Sequence, residues 1–290
     1  MVSFRKLKEQ IIEKFILLCG LASIFFVILI FLFLLKEGLA VFQGITPFKF
    51  LFGKSWYPIS EPAQLGILPL ILGSLLVTLG AAIISIPIGV GCAVYIAEIA
   101  PVRIKEVLKS GIELLAAIPS VVLGFIGMVT LVPLVKNLFH LPTGLTALSG
   151  SIMLAFMAMP TIVSIAEDAL YSVPKNYKEG ALALGATQWQ TIWRVMLPAA
   201  SSGILAAIML GIGRVIGETM AVMMITGNAA VIPQSILVPV RTLTATIAAE
   251  MGEAVVGSEH YFALFAVGIV LFIISFAINV TADLFLHKRQ

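Results

Sequence analysis

Six stretches of more than twenty residues carry almost no charge, and they limit this chain more than any other feature. They run over residues 15–35, 66–99, 114–135, 145–165, 199–226 and 261–286. Each is long enough to cross a hydrocarbon layer of ~30 Å as a helix rising ~1.5 Å per residue. Overall, 60% of the 290 residues are hydrophobic and only 11% are charged, with mean hydropathy +1.10. Soluble domains carry roughly 25% charged residues, so the sequence predicts an integral membrane protein. The first run follows Arg5, Lys6, Lys8 and Lys14. It exceeds the ~7–15 residues of a signal-peptide core, so it reads as a retained span. Residues 66–99 contain Pro69 and Pro87 and read as one tilted helix kinked at Pro87. Splitting them in two would place Lys288 and Arg289 on the outer side.

The positions of the basic residues set the orientation. With the N-terminus inside, twelve of the 18 lysines and arginines fall in inner segments, five in outer segments, and Arg214 alone in the membrane. The inner group is Arg5, Lys6, Lys8, Lys14, Arg103, Lys105, Lys109, Lys175, Lys178, Arg194, Lys288 and Arg289; the outer group is Lys36, Lys49, Lys54, Lys136 and Arg241. This is the positive-inside bias, and it predicts both termini in the cytoplasm. Trp56, Tyr57, Pro47, Pro58 and Pro62 suit an outer interfacial loop. A second outer segment covers 227–260, where 242–252 has the pattern of a short helix.

No catalytic apparatus is visible. Gly53-Lys54-Ser55 has the ending of a nucleotide-binding loop, but Phe48 occupies the position of its first glycine. Cys19 and Cys92 both lie in apolar spans and read as packing residues. His140, His260 and His287 are scattered along the sequence and suggest no metal or nucleophile site. The chain is expected to be no enzyme, to hold no cofactor or metal, and to bind no nucleic acid. Energy for active transport would come from another subunit or an ion gradient.

The stretch 174–196 is a polar island between two apolar spans. Ser172-Val173-Pro174 opens a helix, because proline is pre-set for a first helical turn. Gly185 ends it at low conformational cost. Thr187 and Gln190 fit a capping box. The reading is helix 174–184, a turn at 185–187 and helix 188–196, with Pro198 starting the next element. Glu179, Gly180, Ala181, Gly185, Val195, Leu197 and Pro198 together resemble the "EAA" signature of ABC-importer permeases. Gly180 stands where alanine is usual and Val195 where isoleucine is usual. The resemblance implies that this hairpin is a coupling element seated in a cleft of an ATP-hydrolysing subunit. Small residues there would let another chain approach closely, and an acidic one could meet a basic pocket.

The fifth span carries Gly203, Gly211, Gly213 and Gly217, of which the last two form a G-x-x-x-G pair suited to close helix packing. Arg214 and Glu218 are four apart, so on a continuous helix they share one face and can pair. A charge at mid-bilayer costs about 2.5–3.5 kcal/mol on insertion scales and normally faces a bundle interior or a pathway. Arginine's planar fork suits an oxyanion. Two readings follow: a pathway residue for an anion, or an Arg–Glu pair that locks helices.

The run Gly211 to Val222, followed by Gly227-Asn228, is similar to phosphate-importer permeases. Arg241-Thr242-Leu243-Thr244, the 248–254 block and the 260–265 block resemble the PstC type rather than its PstA-type partner. The likeness covers about 40–290 and is strongest over 173–283. It implies an all-α protein with six transmembrane helices and the MetI-like ABC-importer permease fold. Residues 1–65 would supply a cytoplasmic segment, the first span and a periplasmic loop, and 66–290 the permease core. It implies a translocation pathway at Arg214, Glu218 and Thr219. It further implies a PstA-type second permease, a dimeric ATPase that uses ATP on the cytoplasmic side, a periplasmic or lipid-anchored phosphate-binding protein, and a bacterial or archaeal plasma membrane. The alternatives are a permease for sulfate or molybdate, or a gradient-driven anion transporter. The last would call for midplane coupling carboxylates and an internal repeat, whereas Glu218 is the one deep carboxylate and no repeat is visible.

The charge distribution yields a direct test. Single cysteines at Lys54 or Ser258 should react with an impermeant thiol reagent from outside, and one at Thr187 from inside alone. Labelling of Thr187 from outside would overturn the orientation.

Overall fold

The computed structural model describes the backbone of residues 2–287 and the side chains of Glu9 and residues 11–281. Arg5, Lys6, Lys8, Lys288 and Arg289, with the side chain of His287, therefore lie outside the described side chains. The chain begins with α1 (Val2–Leu39), a 3-10 turn at Ala40–Gln43 and the short α2 (Pro47–Phe52). A two-residue strand pair, Trp56–Tyr57 against Gln64–Leu65, breaks the helical pattern before α3 (Leu68–Val94). A π-helical turn at Tyr95–Ile99 extends α3. Then come α4 (Val102–Ala117), α5 (Ser120–Leu138) and α6 (Ala147–Tyr171). The polar island folds as α7 (Lys175–Ala183) and α8 (Gln188–Thr191), continued by a π-helical turn at Ile192–Met196 and by α9 (Leu197–Ala199). The rest is α10 (Ser201–Gly217), α11 (Met220–Ile225), α12 (Leu243–Glu250) and α13 (Glu259–His287).

Among the described residues five helices are long and apolar enough to cross a membrane, and a sixth span results if the bent pair Gln188–Ala199 and Ser201–Gly217 counts as one. Residues 68–99 form a single span with Pro87 inside it, as the sequence predicts. Contacts across the loops show the spans alternating in direction. Lys105 and Lys109 meet Glu167 at the end that carries α7, while Trp56, Arg241, Glu250 and His260 meet at the opposite end.

Two expected boundaries differ. The third span begins at Ser120, not Leu114, because the helix breaks at Ile118-Pro119. Ile118 is extended (ψ 128°), the conformation that a following proline imposes. Leu114–Ala117 instead end α4, an amphipathic helix whose polar side carries Arg103, Lys105, Lys109 and Glu113. The fifth span is not one helix over 199–226. It stops at Gly217, turns through Glu218 and Thr219, and restarts at Met220.

Helix α6 is the axis of the bundle. It packs most extensively against α3 and α10, and its buried face is built of small residues such as Ala147, Ser151, Ala155, Ala158 and Ala166. Glycines on the neighbouring spans meet that face. A methyl group on Gly89 of α3 would come within 2.8 Å of Ile162 Cγ2, and one on Gly211 of α10 within 2.5 Å of Ile162 Cγ1. Gly80 and Gly203 approach Ser151 and Ala169 in the same way. Hydrocarbon provides no hydrophobic drive for helix association, so packing of this kind holds spans together. The expected G-x-x-x-G contact is not made among the described residues: open space lies beside both Gly213 and Gly217. Cys19 and Cys92 are free thiols on exposed helix faces rather than packed ones. At the edge of the bundle α1 lies along α13, with Phe31 against Phe272 and Phe33 against Phe265.

These contacts separate two otherwise similar substitutions. Gly211→Ala should destabilise the solubilised protein by about 1–3 kcal/mol, because the added methyl overpacks Ile162. Gly213→Ala should leave stability unchanged or slightly raised, since glycine is the poorer helix former by about 1 kcal/mol. Thermal unfolding would contradict this packing if both variants melted alike.

Candidate functional site: a polar hairpin and a broken membrane helix

The hairpin is fixed by local chemistry. Helix α7 starts after Pro174 (φ −57°) and ends in a Schellman motif, where the amide of Ala186 donates to the Ala181 carbonyl at 3.1 Å and that of Gly185 to Leu182 at 3.0 Å. Gly185 has φ +84°, so any side chain there would be strained. Thr187 and Gln190 form the predicted capping box: Thr187 Oγ1 accepts from the Gln190 amide at 3.2 Å, and Gln190 Oε1 from the Thr187 amide at 2.9 Å. Glu179, Gly180 and Gly185 are exposed, and Ala181 is half-buried. Open space lies beside Gly180 and Gly185, so no neighbour among the described residues uses their smallness. Tyr177 and Leu182 are also exposed, and Leu184 is 91% exposed at the tip. Val195, Leu197 and Pro198 sit on the returning arm, where Ile192 and Met196 turn inward. That arm meets α10 at a bend of 71°.

Two carboxylates anchor this end of the molecule. Glu167, 2% exposed near the end of α6, faces Lys105 Nζ at 3.5 Å and Lys109 Nζ at 3.2 Å, and Lys105 also lies over the Tyr171 ring at 3.7 Å. These ion pairs hold α4 beneath the bundle. Glu98, at the end of α3, pairs with Lys178 of α7 at 2.5 Å.

The membrane-depth site differs from its expected geometry. Arg214 and Glu218 do not pair, and they do not share a helix face. The helix stops at Gly217, and Glu218 takes an extended backbone (φ −71°, ψ 133°) that turns its side chain forward along the chain. There Glu218 Oε1 accepts from the Ala221 amide at 3.4 Å, at the start of α11, while Thr244 Oγ1 donates to the Glu218 carbonyl at 2.9 Å. Arg214 stays in the last turn of α10, where the negative end of the helix dipole favours a cation. Its Nη1 donates to Thr161 Oγ1 of α6 at 3.4 Å, and its side chain is otherwise exposed. Thr219 is half-buried, with its hydroxyl on the Gly217 carbonyl at 3.3 Å. The break thus brings Arg214, Glu218 and Thr219 to one interruption of the span without joining the two charges.

A third cluster escaped the sequence. Glu250 of α12 accepts from Trp56 Nε1 at 3.0 and 3.3 Å, pairs with Arg241 Nη1, and lies 2.9 Å from His260 Nε2. It borders a cavity of about 830 Å³ that also meets Tyr57 and Glu253. One carboxylate therefore ties together the segment before α3, the loop before α12, and the start of α13. Arg241, Glu250 and His260 fall within blocks whose resemblance was noted, but nothing in their spacing announces a contact with Trp56, 194 residues away from Glu250.

Comparison with known proteins agrees with this architecture. The family model described as "Binding-protein-dependent transport system inner membrane component" matches residues 85–289. A Bacillus subtilis protein named probable ABC transporter permease protein YqgH is 42% identical over 274 residues, covering 94% of this chain and 89% of that one. The phosphate transport system permease protein PstC of Mesorhizobium japonicum is 36% identical over 260 residues, covering 83% and 79%. Among solved structures, an inward-facing MetNI methionine ABC transporter matches with TM-score 0.63 at 20% identity, covering 80% of this chain and 100% of that one. A bacterial alginate ABC transporter in complex with its pentasaccharide-bound periplasmic protein matches with TM-score 0.65 at 16% identity, covering 94% of each chain. The fold is that of the MetI-like ABC-importer permeases. This chain belongs to the family of binding-protein-dependent transport system inner membrane components.

Proposed function

We propose that the chain is the permease subunit of an ATP-driven phosphate importer, forming half of the translocation pathway. The observation that carries this reading is Arg214. It stands exposed in the last turn of α10, beside a break in the span, and among the described residues no carboxylate pairs with it. Interrupted helices are where membrane transporters place their sites, because the freed backbone lines a cavity instead of lipid. A guanidinium there can offer two parallel hydrogen bonds to an oxyanion. Relatives named as phosphate permeases support phosphate as that anion.

The other half of the pathway would come from a PstA-type permease. The hairpin, with Glu179, Gly180, Ala181 and Gly185 exposed or half-buried on its first arm and Val195, Leu197 and Pro198 on its second, would enter a dimeric ATPase on the cytoplasmic face. ATP hydrolysis would belong to that partner. A phosphate-binding protein would deliver the anion at the face that carries the Glu250 cluster. Closing of the ATPase would move the hairpins and open the bundle outward, as alternating access requires.

The separation of Arg214 from Glu218 sharpens the test. Uptake of labelled phosphate by the reconstituted complex should fall about 10–100-fold in Arg214→Ala, the loss of charge-assisted bonds worth roughly 1.5–3 kcal/mol. Arg214→Lys keeps charge without the fork and should be partly active. Glu218→Gln should be milder than Glu218→Ala, because an amide oxygen can still accept from Ala221. The double variant Arg214→Met, Glu218→Leu should remain inactive. Near-normal uptake by that double variant, at equal membrane expression, would show that Arg214 is no ligand. Excess sulfate or molybdate should leave uptake unchanged; strong competition would reassign the anion.

A further inference from the structure

We infer that Glu98 links the hairpin to the membrane span, as the residue through which displacement of the hairpin reaches α3. The inference rests on the reading of 174–196 as the ATPase contact. Three observations carry it. First, Glu98 holds both arms of the hairpin at once. Its carboxylate, 7% exposed, pairs with Lys178 Nζ of the first arm at 2.5 Å, and its backbone carbonyl accepts from Gln188 Nε2 at the start of the second arm at 3.1 Å. Second, the apolar contact beside it joins the same elements. Ile96, two residues earlier, is buried in one cluster with Ile192 and Met196 of the returning arm and with Val173 at the hairpin entrance. Third, both partners are π-helical at this junction: Glu98 lies in the turn Tyr95–Ile99, and Ile192 and Met196 bound the turn Ile192–Met196. Such turns are rare and gather at functional sites, since each inserts one residue and reorients the side chains around it.

A cavity of about 300 Å³ lies between these elements, bordered by Glu98, Lys178, Glu179, Tyr171 and Met196. The hairpin therefore leaves a gap against the bundle here, which polar contacts at its edge bridge. The ion pair and the Gln188 bond fix its position relative to α3. Lys178 is 36% exposed, so it can return to water when its partner is removed. Loss of the Glu98 charge should then weaken the link without unfolding the chain. Glu98 acts through the hairpin arms it holds and is a positioning residue.

The test uses the full complex in proteoliposomes with its binding protein loaded with phosphate. Three quantities are read: ATPase retained on purification, ATP turnover, and phosphate imported per ATP. Glu98→Gln and Lys178→Met should each retain the ATPase and hydrolyse ATP, while phosphate per ATP falls about fivefold or more. The double variant should be no worse than either single, because both remove one interaction. The exchange Glu98→Lys with Lys178→Glu should recover at least half of the wild-type ratio. Wild-type ratios in both single variants would overturn the inference. So would additive losses in the double variant, an exchanged pair as defective as the singles, or detachment of the ATPase. These outcomes stand apart from failure of the underlying reading. That reading fails if the unaltered complex imports phosphate without ATP, or if a bulky residue at Gly185 leaves ATPase binding and transport intact.

Discussion

Three spans meet at Ile162. Gly89 of α3 and Gly211 of α10 both lie against that side chain, and Gly80 and Gly203 extend the same close approach along α6. Water cannot drive helices together inside a bilayer, so the bundle depends on surfaces that fit without gaps. The small residues of α6 supply one surface and the glycines of its neighbours the other. This fixes α10 by one side, through Gly211, Ala207 and Ile204, and leaves Gly213 and Gly217 beside open space, while Arg214 reaches Thr161 of α6 from the exposed edge.

The exposed edge of that seam explains how a charged residue is tolerated. Arg214 lies at the exposed edge of the α6 seam, near the negative end of its own helix, and donates to Thr161. The break after Gly217 removes the carboxylate that a continuous helix would have placed beside it. Glu218 and its backbone serve the second half-span instead, through Ala221 and Thr244. The Thr244 bond ties the interruption to α12, and α12 carries Glu250, the centre of the opposite-face cluster. A single chain of contacts therefore runs from the interrupted span to the recess bordered by Trp56 and His260. At the other end, Glu98 and Glu167 bind the hairpin and α4 to the same bundle.

What could be read from sequence follows the range of the interactions involved. The hairpin was legible in detail because its caps are local: Gly185 at positive φ, and Thr187 with Gln190 three residues on, need no distant partner. Most spans were legible from apolar length alone. Leu114–Ala117 were not, because the same apolar count fits a span and the apolar side of a surface helix; Pro119 held the signal. The pairing of Arg214 with Glu218 assumed an unbroken helix, and neither proline nor a polar run marks the turn at Glu218. The G-x-x-x-G pattern gives a spacing but not a direction, and Gly203 and Gly211 are the glycines that meet α6. The Glu250 cluster joins segments far apart in the chain, which no local pattern reports.

If the proposed function holds, one site, at the interruption of the α10 span, opens to each side in turn as the hairpin moves. A cysteine at Gly217, next to Arg214 in open space, measures this most directly. In the assembled complex it should react with a membrane-impermeant thiol reagent from the cytoplasmic side without nucleotide. With the ATPase trapped in its ATP-bound form it should react from the outer side. Reactivity from the same side in both states would contradict the account.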